Sequence, residues 1–285
     1  MRSTPFEDDL KKLSSDHPKL GGSEESFRLI SCYALINLIE ETLVVGIQEQ
    51  VERLLQAACN FQGMSLEARE ICREKYRIEE SDSENTFRMF IDGQIGSLAE
   101  KMIKKVDSTS PEISYQIGVT TSFIRTRFIV CDFILNGDLV EAIVLRRKQL
   151  ESLARLHELD STPWQKLIGK VPNIKNILKG TSGRMYGDLS EVAHFSTPRV
   201  AELLHVVEDG ELLGLSLLPQ YSKESGACFD MNCFVSIYFI AWLVEKLPSW
   251  YLSYDNTEDR LAFANTTLLA VSLGVIHLID KPTSV

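Results

Sequence analysis

The chain has 285 residues and a formal net charge of −10 at pH 7, with 44% hydrophobic and 25% charged residues. These proportions are ordinary for a soluble globular protein, so they exclude wholesale disorder. A chain of this length holds one large domain or two smaller ones. The negative net charge argues against a protein that binds nucleic acid over its whole surface.

The first 24 residues mix acidic and basic side chains and contain no apolar stretch of the kind that a secretory signal needs. We therefore expect a mobile N-terminal arm over residues 1–24 and a cytoplasmic protein. The six cysteines form no C-x-x-C pair, which favours buried free thiols over disulfides or structural zinc.

The spacing of apolar residues predicts an N-terminal helical region over residues 25–110. Apolar residues recur at helical spacing over residues 25–60 and again over residues 86–107. Between them, residues 64–77 have the pattern of an exposed helix, with Ser65 as its N-cap.

Residues 111–135 and 138–159 are predicted to form the centre of the fold. Both stretches have helical spacing, and only Asn136 and Gly137 separate them. A connection this short makes neighbouring helices antiparallel. The sequence therefore predicts a helical hairpin here, and a further helix over residues 181–195.

Helical spacing gives way to alternating spacing after Pro198. Asp209-Gly210 is the signal of a type I′ turn, so a β-hairpin is expected near residues 199–219. Pairing Glu208 with Glu211 places four apolar side chains on one face, which we expect to pack on the helices. These side chains are Leu204, Val206, Leu213 and Leu215.

Two late apolar stretches, residues 233–244 and 261–279, raise the question of a membrane. The first is shorter than the roughly 20 residues that span a bilayer, and the second contains polar residues without a basic flank. Both are predicted to be buried helices, and no membrane contact is expected. The sequence thus predicts a mainly α fold, a helical bundle with one β-hairpin, in which residues 111–285 form the helical core.

Familiar catalytic and cofactor motifs are absent from the sequence. It contains no G-x-x-x-x-G-K-[ST], G-x-G-x-x-G, H-E-x-x-H or G-x-S-x-G, and its five histidines have no metal-ligand spacing. We therefore expect neither a cofactor nor a metal, and a catalytic site would have to be built from other residues.

The most informative stretch is MYGDLSEVAHFSTPRV, residues 185–200, because it contains His194. On the predicted helix, His194 lies on a small, polar face that lets another helix come close. An inward-facing Arg147 on that neighbouring helix would need an acidic partner, which Glu151 or Glu191 supplies. Two interpretations stay open. One is a polar pocket of Arg147, Glu151, Glu191 and His194, with Arg147, Glu151 and His194 as catalytic residues. The other is a buried structural network between two helices.

Charge is unevenly distributed along the chain. Residues 111–185 carry 11 Lys and Arg against 7 Asp and Glu, whereas both flanks are acidic. Within this basic segment, the loop before the His194 helix combines a helix start with basic side chains, as phosphate cradles do. The expected phosphate-binding residues are Lys175, Lys179, Thr181, Ser182 and Arg184.

A family resemblance concerns the same helices. LRRKQLESLARLHEL (145–159) followed by YGDLSEVAHFS (186–196) resembles the paired helices of bacterial proteins related to the HEPN superfamily, which carry an R-x-x-x-E and a Y-x-x-L-S-x-x-x-H motif. The resemblance covers residues 111–248. It implies a dimerising helical bundle and, in active members, a metal-independent ribonuclease with an R-x4-6-H motif. Arg184 precedes His194 by ten positions, which departs from that motif.

Two functions follow as hypotheses. In the first, the protein is directed at RNA or another polyanion, with His194 as general acid or base and arginine stabilising the charge on a phosphorane. In the second, it is a non-enzymatic interaction or scaffold protein whose polar residues are structural. The long apolar N-terminal helix and the family resemblance both predict a homo-oligomer, most simply a homodimer.

Overall fold

The computed structural model describes residues 45–104, 106–107, 110–174, 177, 182–208 and 211–276. The helices are α1 Val45–Glu79, α2 Asp82–Met102, α3 Pro111–Asn136, α4 Leu139–Leu159, α5 Ser182–Ala193, α6 Arg199–Leu204, α7 Glu224–Trp250 and α8 Thr257–Ser272. The strands are β1 His205–Glu208 and β2 Glu211–Leu215. The predicted mainly α bundle with one β-hairpin is therefore confirmed. The predicted arm over residues 1–24 lies outside the described residues.

α1 is one continuous helix, whereas the sequence predicts a new helix at Ser65. The hydroxyl of Ser65 accepts a hydrogen bond from Arg69 Nη1 at 2.6 Å, one turn further along the same helix. The expected N-cap at Ser65 is therefore wrong, because its side chain is used within the helix. Contacts within the chain define two units, residues 1–63 and 64–285, and the boundary falls inside α1.

α2 begins at Asp82, earlier than the helical spacing from residue 86 indicates. Ser81 Oγ accepts a hydrogen bond from the Glu84 N–H at 3.2 Å, and the Glu84 carboxylate accepts one from the Ser81 N–H at 3.0 Å. This reciprocal capping box satisfies backbone donors that a helix start leaves unpaired. α2 packs on α7 and α8, so a helix that the sequence places in the N-terminal region belongs to the second unit.

α3 and α4 form the predicted helical hairpin. Ser110 caps α3, Pro111 occupies its first turn, and the helix ends where Gly137 adopts a left-handed conformation with φ 80°. Glycine is favoured at this position because it has no Cβ to clash with the preceding turn. Only Gly137 and Asp138 separate the two helices, so the antiparallel hairpin is confirmed.

The core lies where α3, α4 and α7 pack together. At its centre the rings of Phe123 and Phe239 stack with their centroids 3.9 Å apart, and both side chains are fully buried. Large buried aromatic and aliphatic side chains supply most of the stabilising burial in such a bundle.

α7 is the one helix in the described part of the chain that is long and apolar enough to cross a membrane. It has 27 residues and so extends well beyond the apolar stretch 233–244 at both ends. In this structure 67% of its most apolar stretch is buried inside the protein, as in a core helix.

The segment after α5 differs in part from the predicted β-hairpin. Residues 199–204 form the short helix α6, so strand begins only at His205. Glu208 pairs with Glu211 as predicted, but a register shift between Val206 and Val207 moves the rest of the ladder. Leu204 and Leu215 are 41% and 60% exposed, so their predicted packing on the helices is wrong. Asp209 and Gly210 lie outside the described residues.

Candidate functional site

α4 and α5 pack against each other and bring together three residues selected from the sequence. Arg147 and Glu151 lie one turn apart on α4, and Arg147 Nε donates to Glu151 Oε1 at 3.1 Å. Arg147 Nη1 lies 2.8 Å from Nε2 of His194, just beyond the end of α5. A guanidinium has donors only, so His194 Nε2 accepts this bond and carries no proton in this arrangement.

Tyr186 on α5 completes the group, and the sequence prediction missed it. Its hydroxyl donates to Glu151 Oε1 at 2.7 Å and accepts from Arg147 Nε at 3.2 Å. The Arg147 guanidinium also lies over the ring, 5.1 Å from its centroid. Burial and the hydrogen bond to Glu151 raise the pKa of the Tyr186 hydroxyl. The available signal was the tyrosine of the Y-x-x-L-S-x-x-x-H pattern, eight residues before His194.

The end of α5 holds His194 in place. The Ser196 N–H donates to Glu191 O at 3.0 Å and the Phe195 N–H donates to Val192 O at 3.1 Å, which is a Schellman motif. The motif needs a left-handed residue, and Phe195 fills that position with φ 52°. A non-glycine residue there is strained by about 1–2 kcal/mol. The Phe195 side chain is 71% exposed, directly beside His194.

Of the four side chains of this site, His194 is exposed and Arg147, Glu151 and Tyr186 are half-buried. His194 is exposed, and the side chains of Arg147 and Glu151 keep 23% and 28% of their accessible area. A buried structural network would have excluded solvent from these groups. Solvent therefore reaches the imidazole of His194.

Glu191 does not join the site, although the sequence offers it as a partner for Arg147. Its carboxylate has no hydrogen bond or ion pair with the four site residues in the described part of the chain. Glu191 lies five positions after Tyr186, which places the two residues about 140° apart around α5. Because Tyr186 faces α4, Glu191 faces away from α4.

The proposed phosphate cradle lies mostly beyond what the structure describes. Lys175, Lys179 and Thr181 are outside the described residues. Ser182 and Arg184 belong to the first turn of α5, and their side chains are likewise outside the description. The position of the cradle, at the start of the helix that leads to His194, stays a prediction.

Three arginines of the basic segment are buried and do not add to a surface patch. Arg127 pairs with Asp92 at 2.7 Å, and Arg155 donates to Leu167 O at 3.2 Å. Arg146, next to Arg147, is 1% exposed. The positive surface of residues 111–185 is therefore smaller than the count of basic residues indicates.

Metal ligands and reactive thiols are not part of this site. No group of three or more His, Cys, Asp or Glu side chains is placed to hold a metal among the described residues. Cys72 and Cys233 are buried, and burial raises the pKa of their thiols to about 11 and about 12. Both thiols are therefore protonated and poorly nucleophilic at neutral pH.

Fold and site together define a mainly α helical bundle with a surface arginine–glutamate–tyrosine–histidine group between two of its helices. Comparisons with protein-family models, with curated proteins and with solved structures find no match to the chain.

Proposed function

We propose that the protein is directed at RNA, and that the exposed face between α4 and α5 binds and cleaves a phosphodiester. The observation that carries the proposal is the 2.8 Å contact between Arg147 Nη1 and His194 Nε2 at the surface. A permanent cation and an unprotonated imidazole nitrogen in contact are the two groups that phosphodiester cleavage needs, one for charge and one for the proton.

The neighbours of Arg147 orient its guanidinium for binding an anion. Glu151 and Tyr186 hold its Nε, so the plane of the guanidinium is fixed while Nη1 is held only by the histidine. A guanidinium binds phosphate oxygens through parallel N–H groups. Glu151 and Tyr186 act as positioning residues in this proposal.

The proposed chemical step uses only these groups and the RNA. A phosphate draws the Arg147 N–H groups from His194, whose free Nε2 accepts the proton of the ribose 2′-hydroxyl. The 2′-oxygen then bonds to the neighbouring phosphorus while the bond from phosphorus to the 5′-oxygen breaks. Arg147 stabilises the charge on the phosphorane, and His194 returns the proton to the leaving 5′-oxygen. The products end in a 2′,3′-cyclic phosphate and a 5′-hydroxyl.

Phe195 supplies a contact for a base beside the phosphate. Its ring is exposed and its backbone is strained, a combination that concentrates at functional sites. An exposed aromatic ring stacks on a nucleobase with about 1–3 kcal/mol per base. This contact favours single-stranded RNA, whose bases are free to stack.

Binding of a labelled single-stranded RNA at increasing salt tests the proposal. We expect affinity to fall steeply with salt, because each neutralised phosphate releases counterions. Arg147→Gln is expected to weaken binding and to lower the salt slope by about one unit. Phe195→Ala is expected to weaken binding about tenfold with the slope unchanged, because stacking releases no counterion.

Arg260→Gln is the matched control, because Arg260 also pairs with a glutamate, Glu245, on an exposed surface of α7 and α8. It should bind RNA like the natural chain. Absence of RNA binding at low salt, or equal losses in Arg147→Gln and Arg260→Gln, would end the proposal.

A non-enzymatic interaction protein is the second candidate function. An open groove of about 650 Å³ between α2 and α8 favours it, because Gly93 and Ala262 line it and the apolar side chains of Met89 and Phe90 stand exposed there. Exposed apolar side chains around a groove are typical of interaction sites. The partner that we propose is a second copy of the chain, as in the predicted homodimer.

Sedimentation measures this directly. We expect the natural chain to sediment as a dimer and Phe90→Glu to shift it towards the monomer, because a buried unpaired carboxylate disfavours the contact. A monomer of 32.2 kDa at high concentration of the natural chain would contradict the dimer.

A further inference from the structure

Arg146, next to Arg147 on α4, belongs to the protein core. It is 1% exposed, because one position along a helix turns the side chain by about 100°, away from the surface site. Ala142, Leu150 and Leu153 lie within about 40° of it around α4, and all three are fully buried in the core. Arg146 therefore lies on the face of α4 that packs in the core with α3 and α7.

No group in the described part of the chain neutralises the charge of Arg146. Its Nε and Nη2 are buried and make no hydrogen bond there, and no carboxylate among the described residues forms an ion pair with it. An arginine stays protonated in a protein, so it does not escape burial by losing its charge. A buried positive charge without a counter-charge is strongly unfavourable.

The other buried arginines show how this chain compensates such a charge. Arg127 Nη2 lies 2.7 Å from Asp92 Oδ1. Arg155, also on α4, has its Nη1 3.2 Å from Glu158 Oε2, and the same nitrogen donates to a backbone carbonyl at 3.2 Å. Because the described residues supply no such partner for Arg146, its counter-charge has to come from outside the chain.

Gln149 adds a second donor beside Arg146. It lies three positions further along α4, is fully buried, and its Nε2 has no hydrogen-bond partner within the described structure. Buried polar groups in proteins are normally hydrogen-bonded. Residues three positions apart on a helix are neighbours on its surface, so one acceptor can reach both side chains.

The surroundings determine the charge and size of the anion. One guanidinium is neutralised by one negative charge, so a dianion such as sulfate would leave the core negative. The neighbouring Leu150 and Leu153 are fully buried in a closely packed core, which favours a small ion. Chloride is close in size to a water molecule, and protein cores commonly hold single waters at buried polar groups.

We propose that Arg146 and Gln149 bind a chloride ion in the core formed by α3, α4 and α7. The ion supplies the counter-charge of the guanidinium and accepts a hydrogen bond from the Gln149 amide. This site does not depend on the proposed action on RNA, because that action uses the neighbouring Arg147 at the surface.

Urea unfolding of the full chain in sodium chloride and in sodium gluconate at equal ionic strength tests the proposal, because gluconate is too large for the core. At a chloride concentration about ten times the dissociation constant, the unfolding equilibrium constant should be about tenfold lower than without the ion. Arg146→Met keeps most of the volume without the charge, so this dependence on chloride should disappear. In gluconate its free energy of unfolding should be at least that of the natural chain, since an unpaired buried charge is removed.

Arg155→Met is the matched control, because Arg155 is a buried arginine of the same helix that has its partners. It should be less stable than the natural chain in both salts and keep the chloride dependence, since it leaves buried acceptors unpaired. Chloride dependence that persists in Arg146→Met, or its absence from the natural chain, would overturn the proposal.

Bromide gives a second measurement that needs no variant. In crystals of the natural chain grown with sodium bromide, anomalous scattering should locate one ion within hydrogen-bond distance of Arg146 and Gln149. A water molecule in that place would contradict the proposal.

Discussion

Cleavage of single-stranded RNA by the His194→Ala chain is expected to be about 10²–10⁴ times slower than by the natural chain, the usual loss when a general acid or base is removed. Its free energy of unfolding should stay within about 1 kcal/mol of the natural value. The reason is exposure: His194 lies at the surface and shares a single hydrogen bond with Arg147. Loss of such a bond leaves no buried donor or acceptor without a partner.

Cleavage assays and urea unfolding of the two chains, purified in parallel, give both quantities. Tyr186→Phe is the matched variant, because it removes one hydroxyl from the same site without removing the base. It should retain more activity than His194→Ala. A His194→Ala chain that is strongly destabilised, in a protein that cleaves nothing, would support the structural role of the histidine and contradict the catalytic one.

Gly137→Ala is expected to lower the free energy of unfolding by about 2–4 kcal/mol. Gly137 has φ +80°, and a Cβ there would lie 2.5 Å from the carbonyl oxygen of Gln220 and 2.8 Å from Sγ of Cys72. The left-handed conformation and the backbone overlap act together, since Gln220 O belongs to the main chain and cannot turn away as a side chain does.

Gly118→Ala is the control for this change, because Gly118 lies inside α3 and its added Cβ would meet nothing within 4 Å. Alanine should stabilise the helix there by roughly 0.8–1 kcal/mol. Urea denaturation of both variants measures the contrast. If both variants have the same midpoint, the left-handed turn at Gly137 does not hold the helical hairpin together.

The helical hairpin could be predicted from sequence because its causes are local. Two helical periods with Asn136-Gly137 between them leave one short connection, and the left-handed glycine in the structure is the residue that this connection requires. The same reasoning placed Arg147, Glu151 and His194 on facing helices. The contact between these three side chains depends on helical periodicity and on the packing of α4 against α5. Both can be predicted from the spacing of residues in the sequence.

Three features were missed, and each has its own physical reason. Leu204 and Leu215 have the alternation of a buried strand face, but a short helix and a register shift leave both of them exposed. The Schellman motif that ends α5 usually contains glycine, so Phe195 gives no signal of its left-handed backbone. The tyrosine of the Y-x-x-L-S-x-x-x-H pattern is present in the sequence, but its hydrogen bond to Glu151 depends on how α5 packs against α4.

The central claim is that the surface group of Arg147, Glu151, Tyr186 and His194 cleaves RNA, and the ends of the RNA fragments test it most directly. Mass spectrometry of a short single-stranded RNA incubated with the natural chain should show fragments with 2′,3′-cyclic phosphate and 5′-hydroxyl ends. The same RNA with 2′-O-methyl groups should stay intact, because it has no nucleophile. An unmodified RNA that also stays intact, or fragments formed equally by the His194→Ala chain, would contradict the claim.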